Sequence, residues 1–557
     1  MNKQKLSIWL LAAAVPLIAL APMPDFWITQ LNYIGLYALV SLGLVLLTGI
    51  GGLTSFGQAA FVGIGAYTTA WLTLNTGMSP WLTLFVGLSL TAVSALIVGF
   101  ITLRMSGHYL PLATIAWGLA LYYLMGNLDA LGKYDGLLGL KSLSIAGTDI
   151  GQGRLFFVLT WAILLAGAVA LLNLLDSRPG RAIRSLKGGT QMAEAMGIST
   201  FRYKVTIFVI AALFASVAGW LLAHFQRTVN PSAFGLKMGI EYLFMAVIGG
   251  VGHVWGAIVG AGLIKLLDDY LQVALPALIG TSGSYEVIVF GVAMVLVLKY
   301  LPDGLWSVVA RKLPKPPRAV DWQNASDLPA RSKPAAGDVV LKVDKIRKQF
   351  GGLTAVNDIS FEIGAGQIVG LIGPNGAGKS TCFACLAGQQ TPDTGRVFWH
   401  GQDVTDLAPA ARQALGMART FQVAQTFEAL TVAQNLQLVR ACQRLSWWDR
   451  LAKRERAQAV TDLQQVGLAE LADIVVADLP YGAKKRLELA MALAGLPDAA
   501  EHIERLLLLD EPAAGLAPTE RSAMMALVRQ VAHTGVTVLY TEHNMDAVFG
   551  VADRVLV

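Results

Sequence analysis

Stretches near residues 7–22, 32–50, 56–74, 81–103, 110–126, 155–175, 205–225 and 285–300 are apolar over close to the ~20 residues that a helix needs to cross a bilayer. Buried helices of soluble proteins rarely run so long, so lipid is the solvent this part of the chain must satisfy. The composition agrees, with 55% apolar and only 14% charged residues. Residues 239–270 are also apolar but are broken by Gly249, Gly250, Gly252 and Gly256, a pattern that fits two short crossings or a re-entrant hairpin.

From Arg311 to Asp338 the character changes to RKLPKPPRAV and LPARSKPAAG, rich in Pro, basic residues and Ala, with no apolar period. The spacing predicts three parts: membrane helices over 1–310, a cytoplasmic linker over 311–338, and an α/β domain over 339–557, where short β-like runs alternate with helical ones. In that last part stands GPNGAGKST, comprising Gly373, Pro374, Asn375, Gly376, Ala377, Gly378, Lys379, Ser380 and Thr381. Such a loop wraps nucleotide phosphates in backbone N–H groups. The preceding QIVGLIG reads as a buried strand and the following TCFACLAG as a helix whose positive end faces the phosphates. ATP is therefore the expected fuel. Lys379 is placed for the β- and γ-phosphates, and the Ser380 hydroxyl for Mg²⁺.

Residues 1–310 carry 16 Lys/Arg against 11 Asp/Glu and the remainder 27 against 26, so the formal excess of +6 lies mostly in the apolar half. It is better read as membrane orientation than as nucleic-acid binding, and no nucleic acid is expected as a partner. The stretch 176–204 has six basic residues against two acidic ones and is expected in the cytoplasm, while 127–154 is balanced. Lys3 and Lys5 place the N-terminus inside as well, although Ala19-Leu20-Ala21 also fits a leader cleavage site. An ATPase must meet cytoplasmic ATP, so the number of crossings is even: eight or ten. Cys382 and Cys385 lie one helical turn apart but lack a second ligand pair, which favours filler on a buried helix over a metal or redox site.

Downstream, RLLLLDEP reads as a buried strand ending in Asp510, suited to the Mg²⁺ shell, and Glu511, suited to polarise water as a general base. Here the chain resembles the ATP-binding cassette (ABC) family over nearly all of 339–557. By that resemblance Phe350 stacks on adenine, Gln422 in ARTFQ reaches the metal site and links it to a permease, and His543 in TEHNM lies near the γ-phosphate. LPYGAKKRLELA occupies the place of the family signature that closes over ATP on an opposite subunit, with Tyr481 and Gly482 as its contacts. Pro480 replaces the usual serine and Ala483 the usual glutamine, and Ala517 departs from the acidic or amide residue common after the DEP motif. Proline has neither a hydroxyl nor an N–H to donate, so the expectation is an asymmetric pair of ATP sites. The chain stops fourteen residues after His543, where such domains typically continue, so the expectation is either a truncated sequence or a cassette without the usual C-terminal closure.

Between residues 176 and 204, Ala193-Glu194-Ala195-Met196-Gly197 resembles the loop by which importer permeases press a short helix into the ATPase. GGLTSFGQAAFVGIGAY, FRYKVTIFVIAALFASVAGWLLA and FMAVIGGVGHVWGAIVGA resemble the permease of branched-chain amino acid uptake systems, and YGAKKRLELA with DEPAAGL resembles the matching ATPase. The fold expected is a polytopic all-α permease of eight to ten transmembrane helices fused to an α/β P-loop ABC ATPase. The resemblance implies a multi-pass protein of a bacterial cytoplasmic membrane. It also implies a second permease subunit, a second ABC ATPase subunit, an extracytoplasmic substrate-binding protein and membrane lipid as partners. Branched-chain amino acids are the family default, with urea, amides or aromatic acids as alternatives. An exporter half-transporter and an ATP-gated channel or sensor are the competing functions. Gln58, Ser55, His253 and Glu241 are polar groups in or beside the apolar runs.

Overall fold

The computed structural model describes residues 3–104, 109–145, 147–279, 286–300, 304–306, 338–443, 452–497, 504–543 and 545–557. The proposed linker thus falls outside the described residues except for Asp338. Two compact units emerge: 1–183 with 201–316, and 317–557 with 184–200.

The first unit is helical. Each apolar run forms a helix: α1 (Lys3–Leu20), α2 (Asp25–Leu44, continued by a π-helical turn, Val45–Ile50), α3 (Gln58–Asn75), α4 (Pro80–Thr102), α5 (Tyr109–Asn127) and α6 (Gly153–Asp176). The polar α7 (Arg178–Ser185) follows, then α8 (Thr190–Ala195), which belongs to the second unit, and α9 (Thr200–Gln226), α10 (Leu236–Gly250), α11 (Val254–Ile279) and α12 (Glu286–Tyr300). Among the described residues five segments, 25–50, 80–102, 109–127, 153–176 and 200–226, are long and apolar enough to cross a membrane. At the start of α6, Arg154 donates to the carbonyls of Ala19, Ala21 and Met23 at 2.9, 2.6 and 2.9 Å. One guanidinium thereby satisfies acceptors that the end of α1 leaves open.

The glycine-broken stretch is a helical hairpin, α10 turning at residues 251–253 into α11. Ten apolar helices are counted among the described residues, of which α10 and α12, at 15 residues each, are shorter than a usual span. Glycine sets the closeness of the hairpin: a Cβ on Gly260 would stand 1.8 Å from the Met245 carbonyl oxygen, and one on Gly249 1.8 Å from that of Gly256. In lipid there is little hydrophobic drive between helices, so backbone approach of this kind is what holds them.

The second unit is α/β. Its strands are β1 (Val339–Phe350), β2 (Leu353–Gly364), β3 (Ile368–Leu371), β4 (Thr394–Trp399), β5 (Gln402–Asp403), β6 (Met417–Arg419), β7 (Arg505–Asp510), β8 (Val536–Thr541) and β9 (Arg554–Leu556). A five-stranded parallel sheet runs in the order β6-β7-β8-β3-β9, beside an antiparallel sheet ordered β2-β1-β4-β5. The four leucines of β7 are buried on both faces, as an interior parallel strand requires. The core joins Val343, Ile346 and Trp399 to Val369, Phe383, Leu506 and Leu539. Parallel packing brings the carboxyl ends of β3, β6, β7 and β8 to one edge, where ligands of open α/β sheets bind.

Gly260→Ala should force α10 and α11 apart and cost roughly 1–3 kcal/mol of stability, as overpacking does. Thermal unfolding of the purified protein in detergent checks this, with a lowered midpoint expected.

Candidate functional site

Along that edge the phosphate loop joins β3 to α13 (Lys379–Leu386). Gly376 and Gly378 adopt φ of 84° and 87°, and a Cβ on Gly378 would stand 2.0 Å from the Ala355 carbonyl oxygen, so only glycine fits there. Pro374, Asn375, Ala377 and Ser380 are exposed, and Thr381 is half-buried. Lys379 Nζ donates to the carbonyls of Gly373 and Pro374 at 2.7 and 3.0 Å, curling back over its own loop. Phe350, at the exposed end of β1, is open for stacking.

Three residues singled out from distant parts of the sequence meet at one carboxylate. Glu511 Oε2 accepts from Gln422 Nε2 at 3.0 Å, and Glu511 Oε1 lies 2.8 Å from His543 Nε2. Glu511 itself has φ 47°, a left-handed turn that strands rarely permit, and its N–H is held by the Thr541 carbonyl and hydroxyl oxygens at 3.2 and 3.1 Å. Asp510 accepts from Arg419 at 3.0 Å and from the Thr541 hydroxyl at 2.9 Å. A hard cation fits the donor set: the Ser380 hydroxyl, the Asp510 carboxylate and the Gln422 carbonyl oxygen, which stays available because the amide nitrogen is the atom given to Glu511.

Arg419 and Thr541 had no motif to announce them. Lys485 and Glu488 were also missed. They lie on the buried face of α17 (Tyr481–Ala494), counting α14 (Pro409–Ala414), α15 (Val432–Gln443) and α16 (Ala452–Gln465) before it. Lys485 Nζ donates to the carbonyls of Phe421 and Gln422 at 2.8 and 2.7 Å, while Glu488 Oε1 accepts from the N–H groups of Phe421 and Gln425 at 3.0 and 3.2 Å. The helix that follows the signature thus grips the backbone that carries Gln422. With Lys484 and Arg486 beside them in the same helix, no local signal set these two apart.

At the start of α17, Pro480 takes the N-cap position and supplies no side-chain bond. A Cβ on Gly482 would lie 2.6 Å from Glu520 Oε1, so the chain's own carboxylate already stands over this helix end. The Tyr481 ring sits 3.1 Å from where a side chain on Gly515 would be.

The segment 184–200 belongs to the same compact unit as the cassette. Within it Ala193 and Ala195 on α8 are buried, Glu194 Oε1 accepts from the Thr200 hydroxyl at 2.6 Å, and Gly197 turns the chain with φ 81°. A Cβ on Gly188 would touch the Phe427 ring at 3.4 Å, two residues past Gln425, the last residue that Glu488 holds.

Comparison with known proteins follows the same division. The family model described as the permease component of the branched-chain amino acid transport system matches residues 27–298, and the ABC transporter model matches 356–514. The high-affinity branched-chain amino acid transport ATP-binding protein LivG of Escherichia coli is 38% identical over 230 residues, 39% of this chain and 87% of that protein. The chain belongs to the branched-chain amino acid ABC transporter family. This transporter chain is also similar to BraF of Pseudomonas aeruginosa, at 34% over 39% of the chain and 87% of BraF. The methionine import ATP-binding protein MetN of Rhizobium johnstonii is 35% identical over 41% of the chain and 60% of MetN. A permease domain and an ABC ATPase, which binds ATP and couples its hydrolysis to transport, are therefore joined in one polypeptide.

Burial pushes the Glu488 carboxyl up to about 7 and lowers the Lys485 ammonium. A raised carboxyl stabilises the fold fully only below its unfolded value and loses that contribution as pH rises through about 7, with a slope of up to about 1.4 kcal/mol per pH unit. Glu488→Gln should flatten this decline. Thermal unfolding from about pH 5 to about pH 8 reads it as a smaller drop in midpoint than the wild type shows.

Proposed function

We propose that this chain is one permease–ATPase half of an importer that drives branched-chain or related amino acids across a bacterial inner membrane at the expense of ATP. The observation that carries the cargo class is the permease match over 27–298. A solute passes through the permease, whereas the similarity to MetN is to an ATP-binding protein. The cassette lies on the cytoplasmic side, in keeping with six basic residues against two acidic ones in 176–204. A second permease, a second ATPase and an extracytoplasmic binding protein complete the machine.

In the catalytic cycle the loop Gly373–Thr381 cradles the phosphates, Lys379 exchanges its own-loop carbonyls for phosphate oxygens, and Phe350 stacks on adenine. Mg²⁺, held by Ser380, Gln422 and Asp510 together with the nucleotide, would neutralise charge on the transferring phosphoryl group. Glu511 takes the proton of the attacking water, whose oxygen bonds to the γ-phosphorus as the bond to ADP breaks. Gln422 and His543 aim that carboxylate. Ala193, Glu194, Ala195 and Gly197 form the coupling segment. Its neighbour Phe427 and the α17 clamp on Phe421 to Gln425 give closure of the cassettes a route to it.

Tyr481 and Gly482 face the partner cassette's nucleotide, and two features weaken that half-site: Pro480 donates nothing, and Glu520 sets a negative charge where a γ-phosphate would dock. The site built on this chain's own phosphate loop is the competent one.

Glu511→Gln should lower ATP hydrolysis by ~10² to 10⁴-fold while nucleotide binding persists. Lys379→Ala should abolish both hydrolysis and uptake by the reconstituted complex. Measured side by side, leucine accumulation that needs ATP and the binding protein supports the proposal. Outward pumping, or flux that ignores Lys379, would refute it.

A further inference from the structure

Gln58 is the first residue of α3, is 1% exposed, and neither its amide nitrogen nor its amide oxygen has a hydrogen-bond partner. Leaving a buried amide unpaired costs roughly 1–3 kcal/mol, a cost that leucine or methionine at the same place would not incur. The fold therefore gains nothing from an amide here.

Its setting explains what the amide serves. The chain leaves the π-helical turn at Ile50, runs without regular structure through residues 51–57, and re-enters a helix at Gln58 with Gly57 as a cap that has no side chain to offer. This break lies beside the apolar span α9. Phe61, one turn into α3, meets the Phe208 ring edge-on at 5.6 Å, and Phe208 stands eight residues, about 12 Å, along the 27-residue span α9. Irregular backbone at membrane depth is tolerated where protein buries it or where it lines a solute path. The surroundings are drawn in by small residues: a Cβ on Gly239 would meet the Phe56 carbonyl oxygen at 2.3 Å, and one on Gly57 the Thr114 carbonyl oxygen at 2.9 Å. Helical side chains lean toward the N-terminus, so the Gln58 amide reaches back over the first N–H groups of α3 and the positive end of that 18-residue helix.

We infer that the start of α3 with Gln58 is a solute-binding site in the permease, taking the α-carboxylate of an amino acid on the free N–H groups and Gln58 Nε2, with Oε1 left to accept from its ammonium. This rests on the amino acid import reading and deepens it. The carboxylate supplies the negative charge that a helix N-terminus favours, and an amide that both donates and accepts suits a zwitterion without adding a charge to the membrane.

The test uses the complete transporter, this chain with its partner permease, ATPase and binding protein, in proteoliposomes with radiolabelled L-leucine as the probe. Gln58→Leu should cut leucine uptake, as kcat/KM, about ten- to hundredfold, the size of one or two lost charge-assisted hydrogen bonds. Its basal ATP hydrolysis should stay near the wild-type rate, and its unfolding midpoint should equal or exceed the wild type's. Gln58→Glu, which keeps the length but sets one carboxylate against another, should be at least as poor in uptake. Wild-type uptake by Gln58→Leu overturns the inference. So does a lowered unfolding midpoint together with lost hydrolysis, which would assign the amide to the fold. Whether the wild type imports leucine judges the import reading separately. If it carries another solute instead, undiminished uptake of that solute by Gln58→Leu still overturns the site.

Discussion

The Glu511 carboxylate is held from both sides, by Gln422 at 3.0 Å and by His543 at 2.8 Å, and these partners follow two different strands of one parallel sheet. Hydrogen bonds to an ionised group contribute about 1.5–3 kcal/mol each, but the larger effect is geometric. A carboxylate with both oxygens engaged has one orientation, and the same contacts report its state to the chain around Gln422. The sheet exists to make this meeting possible: β7 sits between β6 and β8, its leucines fix the register, and Asp510 pairs with Thr541 across the last rung. Thr541 in turn holds the Glu511 N–H, so the strained turn at Glu511 is stabilised by the neighbouring strand rather than by its own sequence.

The membrane half answers a different constraint with different means. Without water to accept stray hydrogen bonds, its order comes from backbone proximity at glycines such as Gly249 and Gly260, and from single side chains that gather several orphaned carbonyls, as Arg154 does. Against that economy Gln58 stands out as a buried amide with nothing to bind.

Much of this was legible from the chain alone. Strong local patterns gave the phosphate loop between a strand and a helix, and the four leucines ahead of Asp510 gave β7. Gln422, Glu511 and His543 were each weak as isolated residues and were named from a known family order, whereas their meeting at one carboxylate is visible only in the fold. What stayed hidden depends on tertiary neighbours. Nothing local distinguishes Lys485 and Glu488 from an ordinary exposed pair three residues apart until α17 is seen to bury them against Phe421. Glu520 likewise reads as a helix-start carboxylate capping Ala517, and only the fold sets it over Gly482. The glycines of 249–256 fit two short crossings or a re-entrant hairpin because both need the same tight turn, and only the fold shows how closely the two helices it joins approach.

The grouping of residues 184–200 with the cassette has a consequence for assembly. When a permease and its ATPase are separate polypeptides, the joint between them must be tight enough to survive dilution. Here residues 184–200 and the cassette they pack with belong to one polypeptide, so their encounter is intramolecular. A plug that is always near its socket need not grip hard. One-to-one stoichiometry of this permease domain and this cassette is guaranteed by translation rather than by affinity.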